Sequence, residues 1–419
     1  MQRLRMSSWV NPTDLMVLTD SGNQKSPPIM TTDGQSRETP QLNEALFQRG
    51  KGILDDMTLQ RTMNNDEQMT PVWDPLVLGG YPSTSDKGKA VRLAFFQNVV
   101  DKCHQNNMQC LLGYTMMNPK EARSRFKSFN DWLAESPIFK ISPAEYAGQV
   151  ADFLDKQVPE CDGVSFDIEG LGTGFGVTKD MTQALKDQQI EKREKRLKTM
   201  TERYGQFLGA LADRLAKSKK IVGVATAGMT SETEAIPSFT AEDGFRIHQF
   251  TLAKDHPNMI IRPMAYDNVK LNGKDDSATL QAAVQATLVW HDKIIAYALS
   301  VLPPEQFQLG FKTIMARKDD GKPPDYGGFI TDVSVIKKRC QDVLRPKDIG
   351  LIFFPTSASF WSECNTGLND GAPAAGEALA AAQAAKQQAA ANPAQMPLEQ
   401  ESFYRMSSWR RLPMIPPID

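Results

Sequence analysis

The chain has 419 residues, a formal net charge of −2 and 41% hydrophobic residues, a composition typical of a globular protein. The balanced charge gives no case for a nucleic-acid partner. The five cysteines are sparse and odd in number, which excludes a disulfide scaffold and favours a reducing site of synthesis.

The first 70 residues are predicted to form an extension ahead of the main domain. Residues 20–50 are rich in Ser, Thr, Pro, Gln and Gly, which is typical of an irregular arm. An apolar stretch at residues 15–19 is nevertheless a strand candidate, and a further strand could lie within residues 44–75.

Short apolar stretches alternate with helical patterns along residues 71–370. Helical patterns cover residues 90–105, 280–301 and 334–344, and a long polar helix precedes residue 221. This alternation is typical of βα units around a parallel sheet. The strand candidates are residues 76–81, 110–115, 162–169, 221–226, 259–267, 308–315 and 351–354.

One of these strands carries two carboxylates. Residues 162–169 read Asp-Gly-Val-Ser-Phe-Asp-Ile-Glu, and the period of two places Ser165, Asp167 and Glu169 on one face. Like charges on a partly buried face favour a retained proton on one of them, which is how a general acid is made. An ordinary edge strand with a solvated acidic face is the alternative.

A second polar strand end follows about a hundred residues later. Residues 259–267 read Met-Ile-Ile-Arg-Pro-Met-Ala-Tyr-Asp, so an apolar strand ends in Tyr266 and Asp267. The first segment resembles the DGxDxDxE signature of glycoside hydrolase family 18, the chitinases and endo-β-N-acetylglucosaminidases. Met264-Ala-Tyr266-Asp267 resembles the MxYD signature of the same family, in the same order along the chain.

The resemblance implies a (β/α)₈ TIM barrel over residues 71–370, with irregular extensions at 1–70 and 371–419. Seven strand candidates are one short of the eight that this barrel needs. The missing first strand is either residues 15–19 or a segment within 44–75. Active sites of such barrels lie at the carboxyl ends of the strands, where both signatures end.

The resemblance also implies a role for each residue. Glu169 protonates the glycosidic oxygen, and Asp167 orients the acetamido group of the substrate. That group attacks the anomeric carbon itself, so the reaction retains configuration without an enzyme nucleophile. Tyr266 donates a hydrogen bond to the acetamido oxygen, and the remaining signature residues, Met264 and Asp267, contact the same sugar.

Ser165 is the one departure from the family pattern, which has a third acid there. Serine keeps the hydrogen-bonding ability but not the charge, and it remains a candidate contact in the site. Loss of a negative neighbour makes Asp167 easier to ionise and leaves Glu169 under less pressure to stay protonated. We therefore expect activity that is reduced or shifted towards acidic pH.

Three aromatic residues are weaker candidates for the substrate cleft. Trp361 follows the last strand, where the family often stacks a tryptophan under the cleaved sugar, although core packing fits its position as well. Tyr81 and Tyr114 end strand candidates, and packing is the alternative for both. No pair of histidines or cysteines has metal-ligand spacing, so no metal and no cofactor are expected.

The two ends of the chain share a sequence. Arg5-Met-Ser-Ser-Trp9 recurs as Arg405-Met-Ser-Ser-Trp409, after an Ala- and Gln-rich segment. A docking peptide anchored by tryptophan would explain the repeat, and so would chance. No apolar run of signal-peptide or membrane-spanning length occurs, so we expect synthesis in the cytoplasm and export by a non-classical route or packaging in a particle.

Two classes of function remain open. The first is hydrolysis of β-1,4-linked N-acetylglucosamine polymers, with chitin, peptidoglycan and N-glycan not distinguished. The second is a particle-associated or glycan-binding relative with weak or no turnover.

Overall fold

The computed structural model describes residues 2–12, 14–16, 42–65, 70–73, 86–114, 140–168, 181–226, 251–266, 269–271, 274, 276–313, 326–327, 329–354 and 358–375. The chain divides into two units, Met1–Gly376 and Glu377–Asp419. All of the described residues lie in the first unit.

Eight parallel strands form the main sheet. They are β1 (Met6–Val10), β2 (Asp56–Asn65), β4 (Gln109–Tyr114), β5 (Gly163–Ile168), β6 (Ile221–Thr226), β7 (Met259–Pro263), β9 (Gln308–Phe311) and β11 (Gly350–Phe353). Around the sheet the order is β7-β6-β5-β4-β2-β1-β11-β9, and a parallel bridge between Ile261 and Phe307 brings its two ends together. This is a (β/α)₈ TIM barrel, as predicted.

Three shorter strands accompany the barrel. β3 (Pro71–Trp73) pairs antiparallel with β2, while β8 (Val269–Lys270) and β10 (Tyr326–Gly327) form a separate two-stranded sheet. The α-helices of the described residues are α1 (Glu44–Gly50), α2 (Asp86–Gln105), α3 (Pro143–Gln157), α4 (Gln183–Ala216), α5 (Ser277–Val301), α6 (Val333–Arg339) and α7 (Ala358–Asn369).

Strand β5 shows how alternation divides the side chains between two environments. Val164 and Phe166 point outward into the core between strands and helices, where Phe166 packs edge-on against Phe207 of α4 at 5.2 Å between ring centroids. Ser165 and Asp167 occupy the opposite face, inside the barrel. The functional candidates of this strand therefore lie on the interior face.

The predicted N-terminal extension is wrong, because residues before 71 supply two barrel strands. β1 lies between β11 and β2, and β2 falls within the 44–75 segment that the sequence left open. β1 was not predicted as a strand, because its two serines interrupt the apolar pattern. Inside the barrel, Ser7 donates a hydrogen bond to Asp56 at 2.5 Å and accepts one from Gln308 at 2.8 Å, so burial of this polar side chain is compensated.

The N-terminal copy of the repeated pentapeptide is part of the barrel. Trp9 is 3% exposed, and strand β1 is buried along its whole length. This copy is therefore not a free docking peptide, and the copy at 405–409 lies outside the described residues.

The other first-strand candidate does not enter the sheet where it is described. Leu15 and Met16 pack in the core, and Met16 forms only an isolated bridge with Leu42. Residues 76–81 lie outside the described residues, and the eight barrel positions are filled without them. Within the described part of the chain, no helix has the length and apolarity needed to cross a bilayer.

Candidate active site

The carboxyl end of β5 carries the first pair of candidates. Ser165 is fully buried, and its hydroxyl has no hydrogen-bond partner among the described residues. Asp167, two residues further along the same face, is half-buried. Glu169 is the residue after the end of β5 and lies outside the described residues, so its role as acid stays a prediction.

The carboxyl end of β7 carries the second pair. Met264 and Tyr266 are each 6% exposed and pack in one cluster with Trp9, Ala225 and Ile352. Asp267 lies outside the described residues.

The two strand ends meet across β6. Ala225 of β6 is in register with Asp167 on one side, and it packs in the same cluster as Met264 and Tyr266. Parallel strands end at the same edge of a barrel, so residues that are far apart in sequence converge here. The described residues of the two signatures thus share one end of the barrel interior.

An aromatic residue missed by the sequence analysis lies beside Tyr266. Phe354, which follows β11 directly, stacks on Tyr266 with centroids 6.0 Å apart and an interplanar angle of 3°. Trp9 packs edge-on against Phe354 at 5.9 Å, and the Lys312 ammonium lies 5.6 Å from the Tyr266 ring centroid. These residues form an aromatic row at the carboxyl ends of β1, β7 and β11.

Trp361 and Tyr114 are not part of this cluster, which corrects both as substrate contacts. Trp361 is fully buried on α7, and Tyr114 is fully buried against Tyr146 and Phe166 in the outer core. The packing alternative holds for both. Tyr81 lies outside the described residues, and Phe354 occupies the strand-end position that the sequence analysis gave to Trp361.

A buried histidine supports the backbone of the second signature. His291 of α5 lies with its Nε2 atom 2.7 Å from the carbonyl oxygen of Ala265, between Met264 and Tyr266. Because a carbonyl only accepts, Nε2 carries the proton. Burial lowers the pKa of His291 from 6.5 to about 4, so the ring is neutral at neutral pH.

This histidine makes stability depend on pH. Its folded-state pKa lies below the unfolded value, so the unfolded chain binds more protons and stability falls as pH drops from 6.5 towards 4. We expect the His291 contribution to cost about 2 kcal/mol of unfolding free energy between pH 7 and pH 5. Urea unfolding of the wild type and His291→Gln at both pH values measures it.

The control is His104, whose pKa is raised chiefly by its hydrogen bond to Asp162. Its stabilisation is present at low pH and is lost as pH rises through the folded pKa. His104→Gln should therefore steepen the loss of stability towards pH 5, whereas His291→Gln should flatten it. Parallel pH dependences for the wild type and His291→Gln would contradict the buried neutral histidine.

An ion pair crosses the barrel interior below the site. Arg262 Nη2 lies 3.1 Å from each oxygen of Asp56, and Arg262 Nη1 donates to Thr58 at 2.9 Å. Arg262 and Asp56 are both fully buried, and Arg5 adds a 2.8 Å contact to Asp56. Burial opposes ionisation of Asp56, but the two arginines outweigh it and hold its pKa below the usual range. Burial also lowers the pKa of Arg262, yet a guanidinium stays charged.

The sequence contains a signal for one member of this pair. Arg262 interrupts the apolar strand 259–263, and a charge on a buried strand needs a partner. The identity of the partner could not be predicted, because Asp56 is 206 residues away in the chain.

No protein-family model matches the chain, and no curated protein matches it. Among solved structures, the chain is similar to a class V chitinase from Pseudomonas fluorescens, with 12% identity and a TM-score of 0.48 over 78% of this chain and 96% of that one. A chitinase from Chromobacterium violaceum gives 9% identity and a TM-score of 0.49 over 87% of this chain and 99% of that one. Catalytic domain 2 of the Group II chitinase from Ostrinia furnacalis gives 11% and 0.49 over 89% and 98%. Identities this low do not say which residues do chemistry.

Proposed function

We propose that the protein is a glycoside hydrolase that cleaves β-1,4-linked N-acetylglucosamine in a chitin-like glycan with retention of configuration. The observation that carries this proposal is the convergence of Asp167 with Met264 and Tyr266 around Ala225 at the carboxyl end of the barrel. These residues come from the two family-like signatures, 97 positions apart between Asp167 and Met264 in the sequence. The carboxyl end of the barrel strands is where this fold places its chemistry.

In the proposed reaction, the substrate supplies its own nucleophile. The acetamido oxygen attacks the anomeric carbon while Glu169 gives its proton to the leaving oxygen, and water later opens the cyclic intermediate. Asp167 orients the acetamido nitrogen and balances the positive charge that develops on the ring. Tyr266 donates a hydrogen bond to the attacking oxygen, which holds it close to the anomeric carbon.

Phe354 is the proposed platform for the sugar. Its ring is only partly buried, and it packs against the cluster that contains Tyr266. A pyranose face can stack on such a ring, which supplies apolar contact without fixing a single hydrogen-bond pattern. Phe354 thus replaces Trp361 as the candidate for stacking on the sugar.

The alternative is a glycan-binding protein with weak or no turnover. Ser165 favours it, because the family pattern has an acid at this position. Chitin, peptidoglycan and N-glycan remain alternative sources of the N-acetylglucosamine linkage.

A pair of tyrosine variants distinguishes hydrolysis from binding alone. Release of a chromogenic leaving group from a chitobiose derivative is measured for the wild type, Tyr266→Phe and Tyr114→Phe. Both changes remove one hydroxyl, but Tyr114 is in the outer core and its hydroxyl has no hydrogen-bond partner among the described residues. We expect Tyr266→Phe to lower kcat/KM by about 10² and Tyr114→Phe to leave it unchanged.

Wild-type protein that binds chitooligosaccharide without releasing the chromophore would establish the binding alternative. Equal losses in the two variants would remove Tyr266 from the chemistry.

A further inference from the structure

Two of the five cysteines face each other where the last two helices of the barrel pack together. Cys340 begins the helical turn Cys340–Leu344 that continues α6, and Cys364 lies in the middle of α7. Both side chains are fully buried in the main core. Their thiols are hydrogen-bonded to each other, so the two sulfur atoms are in contact although the residues are distant in the sequence.

A glycine allows the two helices to approach this closely. Gly367 lies about one turn after Cys364 on α7, so the two residues share a face of the helix. A Cβ atom on Gly367 would lie 2.9 Å from the carbonyl oxygen of Lys337 and 3.3 Å from the Cβ atom of Cys340. Such close backbone approach is what a disulfide requires, because its two Cβ atoms lie only about 3.5–4.5 Å apart.

The other three thiols are placed less favourably for a cross-link. Cys161 donates to two backbone carbonyl oxygens, at 3.3 and 3.0 Å. Cys103 and Cys110 are hydrogen-bonded to each other, but they are close in the sequence, and β4, which carries Cys110, is held between two paired strands. The entropy that a cross-link removes from the unfolded chain grows with the loop that it closes, so the pair of Cys340 and Cys364 gains more.

We propose that Cys340 and Cys364 form a redox site, whose disulfide fastens α7 when the chain meets a disulfide oxidant such as glutathione disulfide. One thiolate attacks the oxidant and releases the first glutathione, and the second thiolate then attacks the mixed disulfide and releases the second. Two protein thiols are oxidised and one glutathione disulfide is reduced, while the two protons pass to the released thiolates. A single cross-link of this kind is compatible with the sparse cysteine content of the chain.

The surroundings of the pair determine when it reacts. The mutual hydrogen bond and burial raise the pKa of the Cys340 thiol well above its usual value. Because the thiolate is the reactive form, the packed pair resists attack. Reaction therefore takes place while α7 is not packed, during folding or in a local opening of the helix. Once α7 has packed, the same burial protects the disulfide from reduction.

The helix that this bond fastens also holds the start of the N-terminal strand. Asn369 at the end of α7 donates to the carbonyl oxygen of Leu4 at 3.1 Å and accepts from its amide at 2.7 Å. Asn365 accepts a hydrogen bond from the Arg3 side chain at 3.2 Å. Arg3 and Leu4 lead into β1, which pairs with β11. A bond at Cys364 would thus strengthen the joint at which the first and last strands of the barrel meet.

Refolding in a glutathione redox buffer tests the proposal. Reduced protein is unfolded in urea, refolded either with oxidised and reduced glutathione or with dithiothreitol, and blocked with N-ethylmaleimide. Trypsin cleaves after Lys347, between the two cysteines, so a disulfide between them joins two peptides that mass spectrometry identifies. We expect the linked peptides in most molecules refolded with glutathione and in none refolded with dithiothreitol.

Two variants separate this cross-link from general oxidation. Cys364→Ser removes one partner of the pair, whereas Cys161→Ser changes a buried thiol that donates to backbone carbonyls. The oxidised wild type and oxidised Cys161→Ser should each melt about 3–6 °C above their reduced forms, and Cys364→Ser should show no such difference.

Absence of the linked peptides would overturn the proposal, as would a bond between Cys103 and Cys110 in their place or an equal thermal shift in Cys364→Ser. If the chain does not refold from urea, native protein is held in glutathione disulfide just below its melting temperature and digested in the same way, with the same outcomes. The measurements need no turnover, so their result is independent of the proposed function.

Discussion

Glu169→Gln should lower kcat/KM on a chitooligosaccharide by about 10² or more, the largest effect we expect on activity. The amide has nearly the shape of the acid but no proton to give to the leaving oxygen. Binding of the same oligosaccharide should change little, because protonation of the leaving group is needed only in the transition state. Initial rates and equilibrium binding measured on one preparation check both statements.

Asp162→Asn is the control for Glu169→Gln, since it neutralises an acid of the same segment at the opposite end of β5. Asp162 accepts hydrogen bonds from His104 and from the Cys110 amide, far from the strand end that carries Asp167. Turnover of Asp162→Asn should stay near that of the wild type. Undiminished turnover in Glu169→Gln would take this residue out of the mechanism.

Asp56→Ala should cause the largest loss of stability, about 3–5 kcal/mol of unfolding free energy. The change leaves Arg262 buried without its bidentate partner and removes the contact to Arg5 as well. An uncompensated buried charge is far more costly than the loss of an exposed ion pair. Urea unfolding at neutral pH, followed by circular dichroism, measures the difference.

The neighbouring Asp55 provides the matched comparison. Its partner Arg3 is partly exposed and also donates to the side chain of Asn365, so Asp55→Ala should cost about 1–2 kcal/mol. Similar losses for Asp55→Ala and Asp56→Ala would show that the ion pair across the barrel contributes no more to the stability of this fold than the partly exposed pair of Asp55 and Arg3.

Much of the barrel could be predicted because several of its strands can be recognised from the local sequence alone. β4, β6, β9 and β11 are short apolar runs that follow helical patterns, and β5 and β7 carry the two signatures. β1 could not be recognised, since Ser7 and Ser8 are polar, and the burial of Ser7 is compensated by Asp56 and Gln308 from distant strands. Local periodicity contains no information on such long-range compensation.

The candidate site was predictable to the same extent. Asp167 and Tyr266 follow from alternation along strands whose ends meet in any barrel of this class. Trp361 and Tyr114 were placed by their proximity to strand ends in the sequence, but the direction of each side chain depends on packing that the sequence does not display. For Arg262 the sequence shows a charge within an apolar strand, but it does not show which residue is its partner.

The anomeric configuration of the first product tests the central claim most directly. Proton NMR during the first minutes of chitooligosaccharide cleavage distinguishes the two anomers before they equilibrate. Attack by the acetamido group predicts that the β-anomer forms first, and that a thiazoline analogue of N-acetylglucosamine inhibits its formation. Early appearance of the α-anomer would contradict the substrate-assisted hydrolysis that we propose for Asp167, Glu169 and Tyr266.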